Sequence, residues 1–305
     1  MKKPTRRSFL ATTASAMAAS AAANYPVRLG GPVFLESDDP EELAREHRRV
    51  GYSAAYCPKA DPGDRERTEA IRRAFAAQDV VIAEVGAWKN MLEPDSDLRR
   101  ENLHYITQRL ALAEALGSRC CVTIGGSYNP EVWYGPHPKN LTEEAFDATV
   151  ENCRHVIDAV GPTRTKFAIE MMGWLVPDGP GAYLKLIKAV DRSAFGVHID
   201  VCNAVNSPTR FHQNAALIEE CFRKLGRWAV SCHAKDLAWI VELNVHFKEV
   251  IPGRGKIDYR AYLRELSKLA SQPPLMLEHL KTAEEYEEGK RHIQQVAKKI
   301  GVTFA

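Results

Sequence analysis

Residues 167–200 read FAIEMMGWLVPDGPGAYLKLIKAVDRSAFGVHID, and the order of their parts decides the fold. Residues 167–171 are a short apolar run carrying one carboxylate, Glu170. Residues 181–190 repeat apolar side chains three and four apart, and 195–200 form a second apolar run ending in Asp200. Strand, helix and strand in that order is the unit of a parallel sheet. The alternation continues outward to both ends. Apolar runs at 27–30, 54–57, 80–85, 120–124, 167–171, 195–200, 229–233 and 275–278 alternate with amphipathic stretches at 40–50, 65–78, 97–116, 142–160, 181–190, 214–225, 259–269 and 283–300. Asp39 before Pro40 and Thr142 before Glu143 and Glu144 read as helix starts, while Gly117, Gly161, Gly226 and Gly301 read as stops. Eight such pairs predict an α/β protein, a single-domain (β/α)₈ TIM barrel over residues 24–305. A doubly wound open sheet is the competitor, but no Gly-x-Gly-x-x-Gly follows the first strand.

Residues 1–23 stand apart from the barrel. Thr5-Arg-Arg-Ser-Phe-Leu10 is a twin-arginine export signature, followed by an uncharged Ala-, Ser- and Thr-rich stretch that ends in Ala21-Ala-Ala23. The stretch is too short and too weakly apolar for a stable membrane span. The expectation is a removable signal and a periplasmic or secreted protein. Its removal takes four of the 41 basic residues and none of the 39 acidic ones, turning the formal charge from +2 to −2. A mildly acidic chain argues against nucleic acid as partner, since that affinity rests on clustered positive charge. The seven cysteines contain no Cys-x-x-Cys pair and sit mostly in apolar runs, which reads as buried thiols. A homo-oligomer stays open.

Four apolar runs deliver a metal-competent side chain to the same end of the barrel: Glu170, Asp200, His233 and Glu278. Three carboxylates and an imidazole suit one divalent ion, Mn²⁺ first, with Mg²⁺, Co²⁺ or Zn²⁺ as alternatives. A divalent ion gripping a carbonyl and the neighbouring hydroxyl acidifies the C–H between them and stabilises the enediolate that forms. Carboxylates on either side could then remove and return a proton.

Ala168-Ile-Glu170, His198-Ile-Asp200, His233-Ala-Lys-Asp236, Pro252-Gly-Arg-Gly-Lys-Ile-Asp258 and Leu277-Glu278, in this order, resemble the sugar isomerase/epimerase branch of the xylose isomerase-like TIM barrels. The resemblance covers nearly all of residues 25–302. It implies that Glu170, Asp200, His233 and Glu278 hold one metal ion, that Glu170 and Glu278 also act as the acid/base pair, and that Arg254 contacts substrate. Where many relatives have Asp-x-x-His, this chain has Asp200-Val-Cys-Asn203. Asn203 can bond a sugar hydroxyl but is a poor metal ligand. The three-metal pattern of apurinic endonucleases also needs histidines where this chain has Cys57-Pro58 and Trp88, so that nuclease activity is not expected.

Long loops at 125–141 and 237–256 are where substrate contacts are sought. Lys235 is placed to reach a substrate oxygen, and His246 is a candidate contact or acid. Trp88, Trp133 and Trp239 follow strands and offer faces to sugar C–H groups. His198 shares a strand face with Asp200 and is a candidate either to back the metal ligands or for a structural role; Asp236 caps its loop or orients His233. The reading is a metal-dependent sugar isomerase or epimerase. A lyase that expels a leaving group from a keto-sugar or 3-keto-glycoside is the alternative, and a non-catalytic sugar-binding protein is a third possibility.

Overall fold

Among residues 24–305, which the computed structural model describes, eight short parallel strands close into a barrel. They are β1 Leu29–Gly30, β2 Ala54–Tyr56, β3 Val81–Gly86, β4 Cys120–Ile124, β5 Lys166–Glu170, β6 Phe195–Ile199, β7 Ala229–Ala234 and, after a hairpin, β10 Leu275–Leu277. Each pairs with its predecessor, and β10 returns to β1 through Leu29 opposite Leu275. The expected single-domain TIM barrel is the fold observed. The export signal expected over 1–23 lies outside the described residues.

Helices α1 Pro40–Arg49, α2 Arg65–Ala77, α3 Ser96–Leu116, α4 Glu143–Val160, α5 Pro180–Val190, α8 Asn214–Leu225, α9 Tyr259–Ser267 and α10 Ala283–Ile300 form the outer ring. Their ends follow local chemistry. Asp39 accepts from the amides of Glu41 and Glu42, and Thr142 and Thr282 accept from Ala145 and Glu285. Gly117, Gly161 and Gly301 close helices in the left-handed region. Gly226 does not: it has right-handed φ and leads into the short turn Gly226–Trp228.

Two loops carry structure that hydropathy did not predict. After β6 come the short helices α6 Val201–Ala204 and α7 Pro208–His212, the first capped by the Asp200 side chain. The loop at 237–256 holds an antiparallel hairpin, β8 Asp236–Trp239 with β9 Phe247–Val250. Phe247 anchors it by stacking on Phe211 at 4.7 Å. No described helix is long and apolar enough to cross a membrane. All seven cysteines are free thiols, six buried and Cys57 partly so.

Residues two apart on a strand share a face. Thus Glu170 stands above Ala168, His198 and Asp200 above Gly196, His233 above Ser231, and Glu278 above Met276. The floor beneath the polar layer is made of small side chains plus Met276; a Cβ on Gly30 would lie 2.5 Å from the Met276 sulfur. Tyrosine hydroxyls fasten outer helices to the strand ends. Tyr183 Oη, fully buried on α5, donates to the Ile169 carbonyl at 2.5 Å and accepts from the His198 amide at 3.2 Å. On α9, Tyr262 reaches the His233 carbonyl at 3.0 Å and Tyr259 the Lys235 carbonyl at 2.9 Å.

Tyr183→Phe strips the β5–β6 junction of a buried donor and acceptor and should cost about 1–3 kcal/mol. The urea midpoint would fall at unchanged slope; a loss under roughly 0.5 kcal/mol would mean that the ladder does not depend on this hydroxyl.

Candidate metal centre

Glu170, Asp200, His233 and Glu278 meet at the C-terminal mouth of the barrel, each offering one ligand atom within 4.8 Å of the others. His233 Nδ1 lies 2.9 Å from Glu170 Oε1, 2.8 Å from Glu278 Oε1 and 3.4 Å from Asp200 Oδ2. Asp200 Oδ2 and Glu278 Oε1 are buried yet have no hydrogen-bond partner. Both are at ion-pair distance from the Lys235 ammonium, but its approach does not have hydrogen-bond geometry. Buried carboxylate oxygens left unbonded and aimed at one point with an imidazole nitrogen fit a divalent ion. The four residues could therefore hold such an ion.

The far side of the His233 ring explains its orientation. Glu84, buried on β3, faces His233 Nε2 at 3.3 Å and His198 Nε2 at 2.9 Å, and accepts from the Ser231 hydroxyl. With Nε2 turned to Glu84, Nδ1 of His233 faces the cage. The two imidazoles pack edge-on, 4.1 Å between centroids. Burial alone would raise the Glu84 carboxyl, but the charges of His198 and His233 hold it far below the carboxylate range.

Burial is the largest single influence on the cage carboxyls too, with unequal outcomes. It leaves Glu170 above its ordinary value despite His233, whereas His233 and Lys235 overcome it at Glu278 and bring that carboxyl down to about 2. The two glutamate carboxyls thus differ in proton affinity. Burial works against a proton on His233, yet Glu278, Glu84 and Glu170 raise its proton affinity well above the usual value. Proton and divalent ion therefore compete for Nδ1.

The other expected residues divide into those at the site and those away from it. Asn203 donates to Glu170 Oε1 at 3.0 Å and receives Lys235 Nζ on its Oδ1 at 3.3 Å. Trp88 and Trp133 line a cavity of about 740 Å³ that opens over the cage and also includes Arg109 and Tyr134. Trp239 lines a separate cavity beside the hairpin, with Phe211 and Phe247. His246 is exposed on the hairpin, 3.5 Å from Glu242. Arg254 lines a cavity with Lys235, Glu249 and Glu278 at the edge of the cage, while its guanidinium is 61 % exposed and forms a two-pronged pair with Glu288, at 2.6 and 2.8 Å. Asp236 accepts the amides of Leu237, Gly253, Gly255 and Ile257, so it ties down the Pro252-Gly-Arg-Gly255 loop, and none of its bonds goes to His233. A Cβ on Gly255 would collide with that carboxylate, which is why glycine is needed there.

Three participants escaped the sequence reading. Glu84 had a signal, a lone acid inside the apolar run Val80-Val-Ile-Ala-Glu-Val85, where an unpaired carboxylate would be costly. Glu249 reaches the site only through the hairpin, 3.3 Å from Lys235 Nζ. His279 sits at φ +59, unusual for a non-glycine residue, and its Nδ1 lies 2.7 Å from Glu249 Oε2.

The sequence profile of the family described as "Xylose isomerase-like TIM barrel" matches residues 40–296. No curated protein matches the sequence. Among solved structures, a xylose isomerase-like TIM barrel protein from Mycobacterium smegmatis in complex with magnesium superposes with a TM-score of 0.62 at 16% identity, covering 90% of this chain and 97% of that one. The 3-keto-D-glucoside 4-epimerase of E. coli gives 0.64 at 13%, covering 88% and 99%. Endonuclease IV from Thermus thermophilus gives 0.65 at 16%, covering 90% and 100%. At these identities the likeness is one of fold.

Glu84→Gln keeps the shape beneath His233 but removes the charge that orients it. Calorimetric titration should find Mn²⁺ affinity lowered about 10- to 100-fold. Unchanged affinity would mean that Glu84 only fills space.

Proposed function

The chain belongs to the xylose isomerase-like TIM barrel family, and on that premise we propose that it is a divalent-metal-dependent isomerase or epimerase of carbohydrates, working by proton abstraction next to a carbonyl. The observation that carries this reading is the convergence of Glu170, Asp200, His233 and Glu278 on one point beneath an open cavity. Bound there, a divalent ion, with Mn²⁺ the first candidate, supplies Lewis acidity to a carbonyl and its neighbouring hydroxyl.

The chain's own residues supply the rest. Glu170 and Glu278 come from strands separated by β6 and β7, so their carboxylates flank the site from two directions. In the proposed reaction one takes the proton from the carbon beside the carbonyl and the other returns it, giving inversion or transfer to the next carbon. Asn203 holds Glu170 by a hydrogen bond, and Asp200 and His233 serve as ligands. Trp88, Trp133 and Tyr134 at the wall present faces suited to sugar C–H groups. We read the 1–23 segment as a twin-arginine signal, which would carry the barrel out of the cytoplasm folded and favour glycosides as substrates.

A second reading has its own support. About 740 Å³ is in the upper part of the range of small-molecule sites. That is room for a substituent beyond one ring, as needed by a lyase that expels an aglycone from a 3-keto-glycoside.

Incubation of Mn²⁺-loaded protein with ketoses and 3-keto-glycosides in D₂O separates the readings. Deuterium at one carbon with no group lost indicates an isomerase or epimerase, and loss of water or aglycone a lyase. Binding without exchange leaves a sugar-binding protein, and cleavage of abasic DNA would overturn all three. Glu170→Gln and Glu278→Gln should each reduce turnover at least about 10²-fold with circular dichroism unchanged; full activity in both would remove the acid/base assignment.

A further inference from the structure

Lys235 touches the cage at its centre. Its side chain is 3 % exposed, and Nζ lies 2.8 Å from Asp200 Oδ2 and 2.7 Å from Glu278 Oε1. These are the two buried carboxylate oxygens found without a hydrogen-bond partner among the described residues, and both residues belong to the four that converge. Glu170 Oε1 is 3.9 Å away. A divalent ion bound by these oxygens would stand about 2.0–2.4 Å from them. An ammonium in contact with the same two atoms shares that hollow, and two cations so close repel.

A second acceptor is within reach. Glu249 Oε1, on β9, is 3.3 Å from the same Nζ, and its other oxygen is held by His279. The four-carbon lysine stem can rotate to shift the ammonium from one carboxylate to another without moving the backbone. Glu249 belongs to the hairpin and not to the barrel, and its side chain is 36 % exposed, so its carboxylate stays accessible.

We propose that Lys235 is the built-in counter-cation of the carboxylate cage, that a divalent ion displaces its ammonium toward Glu249 on binding, and that this exchange sets the metal affinity. The proposal rests on the reading of Glu170, Asp200, His233 and Glu278 as ligands. Lys235 then keeps the clustered acids balanced, and Glu249 makes the exchange possible.

Calorimetric titration with Mn²⁺ of the wild type, Lys235→Met, Glu249→Gln and the double variant tests it. Lys235→Met should bind Mn²⁺ at least about tenfold more tightly. Its thermal midpoint in chelator should fall, and the rise on adding Mn²⁺ should exceed that of the wild type. Glu249→Gln should weaken binding several-fold in the wild-type background and have no effect when Lys235 is Met, because the displaced ammonium is then gone. Equal effects of Glu249→Gln in both backgrounds would reduce Glu249 to a distant charge and overturn the proposal. Weaker binding by Lys235→Met would make Lys235 a group that orients the ligands, and would also overturn it. Should Lys235→Met fail to fold, unchanged Mn²⁺ affinity in Glu249→Gln is decisive against the exchange. If the wild type binds Mn²⁺ and Lys235→Met binds no tighter, only this inference falls. If no variant binds Mn²⁺, Mg²⁺, Co²⁺ or Zn²⁺, the ligand assignment falls with it.

Discussion

The contact on which the structure depends is the His233 ring held between Glu84 on one nitrogen and the Glu170, Asp200 and Glu278 carboxylates on the other. Like charges buried this close repel, and each carboxylate has left water to reach its place. Polar groups in such a core are tolerable only if every one finds a partner. The imidazole links two acidic clusters through one rigid ring, and the Ser231 hydroxyl and His198 complete the lower one. Removing the His233 ring would leave carboxylates of both clusters without their shared partner.

The barrel makes this arrangement possible by geometry. Eight strands with period-two alternation direct every second side chain inward, and small residues such as Ala168 and Gly196 let the interior close tightly below the polar layer. Parallel strands put all their C-terminal ends on one side, so residues far apart in sequence arrive in one place. Helix-borne tyrosines bond the backbone at or next to those ends, so the side chains start from fixed positions. The hairpin and the Pro252-Gly-Arg-Gly255 loop are tied on by one buried carboxylate, Asp236.

The barrel was legible because hydropathy alternates cleanly, and its strand ends followed from the same pattern. Glu170, Asp200, His233 and Glu278 could be singled out since each sits in or beside an apolar run, where a polar side chain needs a reason. Asn203 was legible through the family resemblance, as the residue standing where many relatives have a histidine, and it bonds Glu170. Glu249 was not legible: its position depends on an antiparallel pairing formed within what reads as a loop. Nor could sequence foresee that Arg254 would pair with Glu288 on α10, because that choice is made by tertiary contact between a loop and a distant helix. Trp88 and Trp239 read alike as aromatic residues after strands, yet only the first lines the cavity over the cage. Local pattern locates an element's end; the direction a loop takes from there is set by what it packs on.

The seven thiols carry a chemical consequence of their own. Thiol–disulfide exchange proceeds through the thiolate. Even at Cys57, the most accessible of them, burial pushes the pKa up to about 11. Burial raises the remaining six as well, Cys221 to about 12. Burial thus disfavours the thiolate at every cysteine of the folded barrel, and with it thiol–disulfide exchange.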